Sequence, residues 1–224
     1  MKNLITRICV LTFVIASSIT MEAKDIKLPA PALSGGTPFN QTVANRCSHR
    51  DFDPSRKIED TVLGQLLWSA VGINRPDAPA GPHGAPADRT NPTALNWQEI
   101  RAYVFRPDGV FEYIPASHSL HLVKEGDRRS LLAGTAEFSQ DFVNDAPCAV
   151  LFVADMTNLP DNDQVLAMVH VDAGIACENL NLACAALGVA TVPRATMDTA
   201  AISTLLGLTP RQLPILNNPV GYAR

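Results

Sequence analysis

Arg46-Cys47-Ser48-His49-Arg50 places two guanidiniums and a hydroxyl at every second residue. In extended backbone, side chains at i, i+2 and i+4 share a side. Arg46, Ser48 and Arg50 would then converge on one spot, and two arginine forks with a hydroxyl suit a phosphate. A solvated basic turn ahead of a helix accounts for the same residues. The second segment with chemistry is Arg89-Thr90-Asn91-Pro92-Thr93-Ala94-Leu95-Asn96-Trp97-Gln98. Pro92 fixes a turn there. Asn96 and Gln98 are two apart, so both amides would face one side and offer paired donors and acceptors. Such amides suit a flat heteroaromatic ring with carbonyl and N–H edges. An Asx-type turn capping a strand is the other use of Asn beside Pro.

No metal site is expected. The chain lacks a CxxC or a Cys/His zinc spacing, and His118 and His121 lie in a strand-like region without an acidic partner at ligand spacing. Trp68 falls on a helical apolar stripe and is expected in the core. Trp97, between the two amides, is expected to face the other way into packing. Arg75 and Arg89 flank a Pro-rich loop, either as solvated charges or as guides for an anion. Asp172 and Glu178 are polar positions in an apolar helix, suited to satisfying interface groups or capping nearby backbone.

Residues 1–23 have the pattern of an export signal: Lys2 and Arg7, an apolar run from Ile8 to Ile19 too short to span a bilayer, and Ala23 at the end. A membrane anchor is the alternative. No other segment is long and apolar enough to span. The signal implies a periplasmic or secreted protein. Its removal takes Lys2, Arg7 and Glu22, so the net charge of −4 becomes −5 on about 200 residues, enough for one sizeable domain. A mildly acidic chain without a basic stripe is a poor nucleic-acid binder. Four cysteines then remain: Cys47, Cys148, Cys177 and Cys184. Cys177 and Cys184 are seven apart on one expected helix, roughly 10 Å, beyond disulfide reach. Most of the four read as small buried residues, and a Cys47–Cys148 bridge is left open.

These segments must be held by the elements around them. Residues 24–45, rich in Pro, Gly, Ser and Thr, read as a flexible linker or an arm lying on another surface. Asp60 to Val71 carries a helical stripe. Residues 74–91 hold Pro76, Pro79, Pro82 and Pro86 and read as a mobile loop. Arg101 to Phe105, a Pro107-Asp108-Gly109 turn and Val110 to Ile114 form an expected hairpin, and His118 to Lys124 an expected third strand. Arg128 to Phe138 looks helical. Ala149 to Ala154 is a buried strand by its unbroken apolar run. Residues 164–187 make the longest helical pattern, closed by Gly188. Val189 to Val192 is a strand, Asp198 N-caps a helix ending at Gly207, and Ile215 to Tyr222 is the last extended piece. The mixture argues α+β, with a central mixed β-sheet surrounded by helices.

Taken together, Arg46-x-Ser48-x-Arg50, some forty residues before Pro92-Thr93-x-x-Asn96-x-Gln98, resemble the nitroreductase family of flavin enzymes. Val171-Asp172-Ala173-Gly174-Ile175-Ala176-Cys177-Glu178-Asn179-Leu180, running on to Gly188, is similar to that family's long helix, and Pro219-Val220-Gly221-Tyr222 to its closing strand. The four pieces run in matching order from residue 46 to 224. Leu66 to Arg75 resembles the branch that also contains peptide-heterocycle oxidases. The resemblance implies a homodimer with FMN at the subunit interface, reduced by NAD(P)H and passing hydride to a small-molecule acceptor such as a quinone or nitroaromatic. Carried over by position, Arg46, Ser48 and Arg50 would hold the FMN phosphate, ribityl chain or pyrimidine edge, and Asn96 and Gln98 would contact the ring. The flavin does the redox chemistry, so no catalytic side chain is required.

The chain departs from the family pattern at Val192-Pro193-Arg194-Ala195-Thr196. Ala195 and Thr196 stand where an acidic residue and Gly would lie near flavin N5. Arg224 is the sole candidate for a C-terminal basic group on the phosphate, with a frayed tail as its alternative. Two further functions stay open: a flavin-binding module without turnover, and a heterocycle-forming peptide oxidase.

Overall fold

The computed structural model describes residues 25–79 and 87–224. The expected export signal, residues 1–23, therefore lies outside the described residues, as does the middle of the 74–91 loop.

Seven strands form one sheet: β1 (Ile26–Lys27), β4 (Ile100–Arg106), β5 (Gly109–Ile114), β6 (Ser119–Glu125), β7 (Cys148–Asp155), β8 (Ala190–Thr191) and β9 (Gln212–Gly221), in the order β1-β6-β5-β4-β7-β9-β8. Every ladder in it is antiparallel, so the central sheet surrounded by helices is as expected but is not mixed in direction. The Pro107-Asp108 turn joins β4 to β5, with Arg106 opposite Gly109. β2 (Ile73–Arg75) and β3 (Asp88–Arg89) pair separately, so the ends of the expected 74–91 loop form a small ladder.

β7 explains its own composition. Val150, Phe152 and Ala154 face one core, under α2 (Asp60–Val71) and α3 (Asp163–Leu187). Ala149, Leu151 and Val153 face the other, with Leu132 and with Ile202 of α4 (Thr199–Leu206). A strand covered on both sides needs apolar residues at every position, which is why it shows no alternation.

α3 is 25 residues long. Asn162 caps its start by accepting the Val165 N–H at 2.9 Å. Gly188 closes it at φ +67, a left-handed conformation that suits glycine. Asp198 and Gly207 cap α4 in the same manner.

Two expectations change. Arg128 to Phe138 is not a helix: a single 3-10 turn, Arg129–Leu132, is followed by Gly134 at φ +151, bridged to Ser139. A Cβ at Gly134 would lie 2.1 Å from the Phe138 carbonyl oxygen, so the chain doubles back there where a helix would continue. The 24–45 arm also carries structure. β1 pairs with β6, Leu28 is buried, and α1 (Phe39–Asn45) lies on α3, with the Thr37 hydroxyl donating to the Ala186 carbonyl at 2.8 Å.

The histidine pair serves the arm. The His118 Nε2–H donates to the Pro29 carbonyl at 2.8 Å, so Nδ1 accepts the Tyr113 hydroxyl at 2.8 Å. His121 pairs with Asp25 at 2.7 Å. Cys47, exposed, and Cys148, buried, are free thiols, so the open Cys47–Cys148 bridge does not form.

Gly221 sits where the last strand meets the segment that follows Arg50. A Cβ there would lie 2.7 Å from Pro147 Cδ and 3.0 Å from Phe52 Cδ1. Gly221→Ala is expected to lower stability by about 1–3 kcal/mol, the usual cost of overpacking. Urea unfolding should show a lower midpoint at unchanged slope; an unmoved midpoint would contradict this packing.

Candidate functional site

The end of α3 delivers the chain into β8, the outermost strand of the sheet. The His49 N–H donates to the Thr191 carbonyl at 2.9 Å, so Arg46 to Arg50 runs along this free edge. Ser48 and Arg50 are exposed and Arg46 is half-buried. None of these three side chains has a hydrogen-bond or ion-pair partner among the described residues. Cys47 Sγ contacts His49 Nε2 at 3.0 Å.

The C-terminus docks beside them. Phe52 bridges Ala223, the Asp53 N–H donates to the Tyr222 carbonyl at 2.9 Å, and the Arg224 N–H to the Asp51 carbonyl at 3.3 Å. The Arg224 guanidinium reaches Asp51 at 3.3 Å and Asp145 at 3.6 Å. Arg224 is thus packed against the residue after Arg50 and is not a frayed end. Its ion pairs are exposed, so they hold it weakly.

Arg194, Ala195 and Thr196 follow β8 and line the same region. Arg194 and Asn217 exchange backbone hydrogen bonds at 2.9 and 2.7 Å. The fully buried Asn217 side chain donates to the Thr196 carbonyl at 3.0 Å and accepts from Arg194 NH1 at 2.8 Å. The same guanidinium donates to the Leu132 carbonyl at 2.7 Å, the Ala133 carbonyl at 3.0 Å and Gln140 Oε1 at 2.8 Å. No carboxylate pairs with it among the described residues. Burial, and then the Arg50 charge, pull its pKa down to about 10, which leaves it protonated at neutral pH. This strut fixes the backbone at Ala195, which is exposed, and Thr196, which is half-buried.

Asn96 and Gln98 do meet, Gln98 Nε2 donating to Asn96 Oδ1 at 3.2 Å. Extended backbone does not bring them together: Leu95, Asn96 and Gln98 lie at φ +49, +55 and +55. Their amides turn inward to β3. Asn96 donates to Asp88 at 2.9 Å, Gln98 to the Ala87 carbonyl at 2.7 Å, and Arg89 Nε to Gln98 Oε1 at 3.1 Å. Arg89 also donates to the Ile100 carbonyl at 3.0 Å, and burial lowers its pKa, so it is a structural cation and not a solvated loop charge. Trp97 is buried in the core as expected.

Beneath this turn lie two carboxyl groups. Asp172 on α3, 4% exposed, accepts the Ala94 N–H at 2.8 Å. Glu99, 5% exposed, has no hydrogen-bond donor for either oxygen and faces Asp172. Burial first, and the Asp172 charge after it, push the Glu99 carboxyl up to about 8, so it is neutral at pH 7. Glu99 escaped the sequence reading, although an acid directly before a largely apolar strand was a usable signal. Asn217 escaped it too, with Asn217-Asn218 as the signal inside an otherwise apolar strand.

The chain assembles two separate walls. Arg46 to Arg50 lie beside β8, with Arg224 docked at Asp51 and Arg194 near Arg50; Asn96 and Gln98 lie in a separate turn that Asp172 supports through Ala94. At about 1.5 Å per helical residue, Asp172 and the Gly188 cap lie about 24 Å apart along α3. Between and beside them α3 exposes Leu166, Val171 and Leu187, α1 exposes Phe39 and Val43, and Leu95 is 71% exposed.

The Nitroreductase family model matches residues 43–222. A protein of Methanocaldococcus jannaschii that carries a nitroreductase name is 27% identical over 161 residues, covering 71% of this chain and 78% of that protein. A crystal structure from Ralstonia eutropha, also carrying a nitroreductase name, superposes with a TM-score of 0.77 at 31% identity, over 100% of this chain and 96% of that one. An Escherichia coli microcin synthetase complex solved with truncated pro-MccB17 bound matches at a TM-score of 0.64 over 97% of this chain and 85% of that one, with 17% identity, a likeness of fold alone.

Two measurements test this geometry. Arg194→Leu leaves the Leu132 and Ala133 carbonyls and Asn217 Oδ1 without their donor, at about 1–3 kcal/mol for each buried group. A loss under about 1 kcal/mol in urea would contradict the strut. For Glu99 the folded pKa is raised from 4.5 to about 8. The stability carried by its neutral form is therefore complete below about pH 4.5 and is lost as pH rises to about 8, with no further change above. The melting temperature of the wild type should fall relative to that of Glu99→Gln across this window and then run parallel. A constant gap throughout would show that Glu99 titrates normally.

Proposed function

The chain belongs to the Nitroreductase family and is an oxidoreductase of that family, and we propose that it binds FMN and passes electrons from NAD(P)H to a small-molecule acceptor. The observation that carries this reading is the edge of β8. Arg46, Ser48 and Arg50 offer donors that no group of the described chain uses, beside a backbone at Ala195 and Thr196 that the Asn217 strut holds still. Two guanidiniums and a hydroxyl fit a phosphate and a polyol chain. Arg46, Ser48 and Arg50 would hold these, with the Ala195 and Thr196 backbone toward the ring. When bound, FMN supplies the hydride chemistry. The protein's part is to orient the ring, exclude water and present acceptor and donor in turn to one face.

The missing wall is supplied by a second copy. A two-fold pair with antiparallel α3 helices sets one copy's Asn96 and Gln98 opposite the other's Arg46 to Arg50, and buries Val171, Leu187 and Phe39 in a self-complementary face. Acceptors of the quinone and nitroaromatic classes suit a site whose contacts are backbone and ring face. Residues 1–23 support export to the periplasm or beyond. NAD(P)H is scarce there, so flavin binding and reduction by NAD(P)H are separate questions.

The test is the purified chain from residue 24 onward, titrated with FMN. The expected product is a yellow dimer, bleached by NADPH and recoloured by a quinone. Arg46→Ala with Arg50→Ala should weaken FMN roughly 100-fold or more, two charge-assisted contacts being lost. Unchanged affinity in that variant would overturn the phosphate assignment. Bound flavin that NADPH cannot reduce would make the chain a carrier, or an enzyme with another donor. A chain that takes up no FMN would overturn the whole reading.

A further inference from the structure

Building on the FMN site just proposed, we infer that the buried Glu99 side chain is a positioning residue for the turn bearing Asn96 and Gln98, acting through Asp172, and that loss of its proton loosens this wall. Carboxylate oxygens only accept hydrogen bonds, so two facing carboxylates cannot bond unless one carries a proton. Asp172 is already committed as acceptor to the Ala94 N–H, and Glu99 has no donor of its own. A proton on Glu99 resolves both conditions. Glu99 then donates to Asp172, whose remaining charge strengthens its bond to Ala94.

Ala94 opens the turn in which Leu95, Asn96 and Gln98 hold left-handed conformations. Asn tolerates that region, but Leu95 and Gln98 stay in it only when their surroundings force them to. Once Glu99 ionises, two buried like charges face each other, and the strained turn is the part that yields at least cost. The charged groups facing Glu99 are Asp172 from α3 and Arg89 from β3; Arg89 in turn feels Tyr113 of β5 and Arg101 of β4. Arg89 gives two of its five N–H donors to Gln98 and Ile100; its charge favours ionised Glu99, and the burial and Asp172 effects outweigh it. Glu99 also borders a groove of about 330 Å³ with Trp97, Gln98, Arg101 and Asp155, which is a short way out for the proton.

Trp97 lies inside the turn and reports on it without any flavin. The protein contains two tryptophans, so Trp68→Phe isolates its emission. That emission should be blue below pH 7 and step to the red near pH 8. Adding Glu99→Gln, whose amide can donate to Asp172 at every pH, should abolish the step. The FMN dissociation constant should follow: flat to about pH 7, then rising up to about tenfold per pH unit for one proton lost, and flat throughout in Glu99→Gln. A step that survives in Glu99→Gln, or no step in the parent, overturns the inference. A step in Trp97 without FMN binding at any pH upholds Glu99 and refutes the flavin site instead.

Discussion

The rest of the site depends on one buried guanidinium. Arg194 reaches the Leu132 and Ala133 carbonyls, Gln140 and Asn217, and so ties the reversed chain around Gly134 to the last strand and to the loop after β8. A buried cation with no carboxylate partner among the described residues is costly unless its donors are used, and four of its five N–H groups meet fixed acceptors. The result is a rigid backbone at Ala195 and Thr196 whose own side chains are small. The position is held from beneath by Asn217 and does not rely on the side chains of Ala195 and Thr196.

The second wall follows a different principle. Its turn is strained at three residues, and its support is an acid pair that needs a proton. One wall is therefore held by a group charged at all ordinary pH values, and the other by a group that titrates. Both stand on α3, which is rigid because it packs along its length against a sheet whose central strand is covered on both faces. Rigid elements thus carry the site, and the adjustable part is confined to one short turn.

Periodicity and capping made most of the fold legible. The unbroken run at 149–154, the Asp60–Val71 stripe, the Asp198 cap and the Gly188 and Gly207 stops are local signals, and local physics decides them. Arg128 to Phe138 misled because its helical pattern says nothing of Gly134, whose conformation is set by its neighbours across the turn. The basic segment was found by residue type, and its place beside β8 rests on a backbone bond from His49 to Thr191 that no local pattern announces. Asn96 and Gln98 were found by residue type, yet their backbone was misjudged, since left-handed turns leave no periodic trace. Glu99, Arg89 and Asn217 take their roles from partners distant in sequence, at Asp172, Ile100 and Arg194, and no local window contains those pairs.

In the proposed dimer neither copy holds a complete site. Complementation tests it most directly. One chain carries Arg46→Ala and Arg50→Ala, and the other Asn96→Ala and Gln98→Ala, each weak for FMN alone. When the two are unfolded, mixed equally and refolded, random pairing makes half the dimers mixed. Each mixed dimer holds one intact site, so tight FMN binding should return in about a quarter of all sites. No recovery, with mixed dimers shown to form, would contradict a site shared between copies.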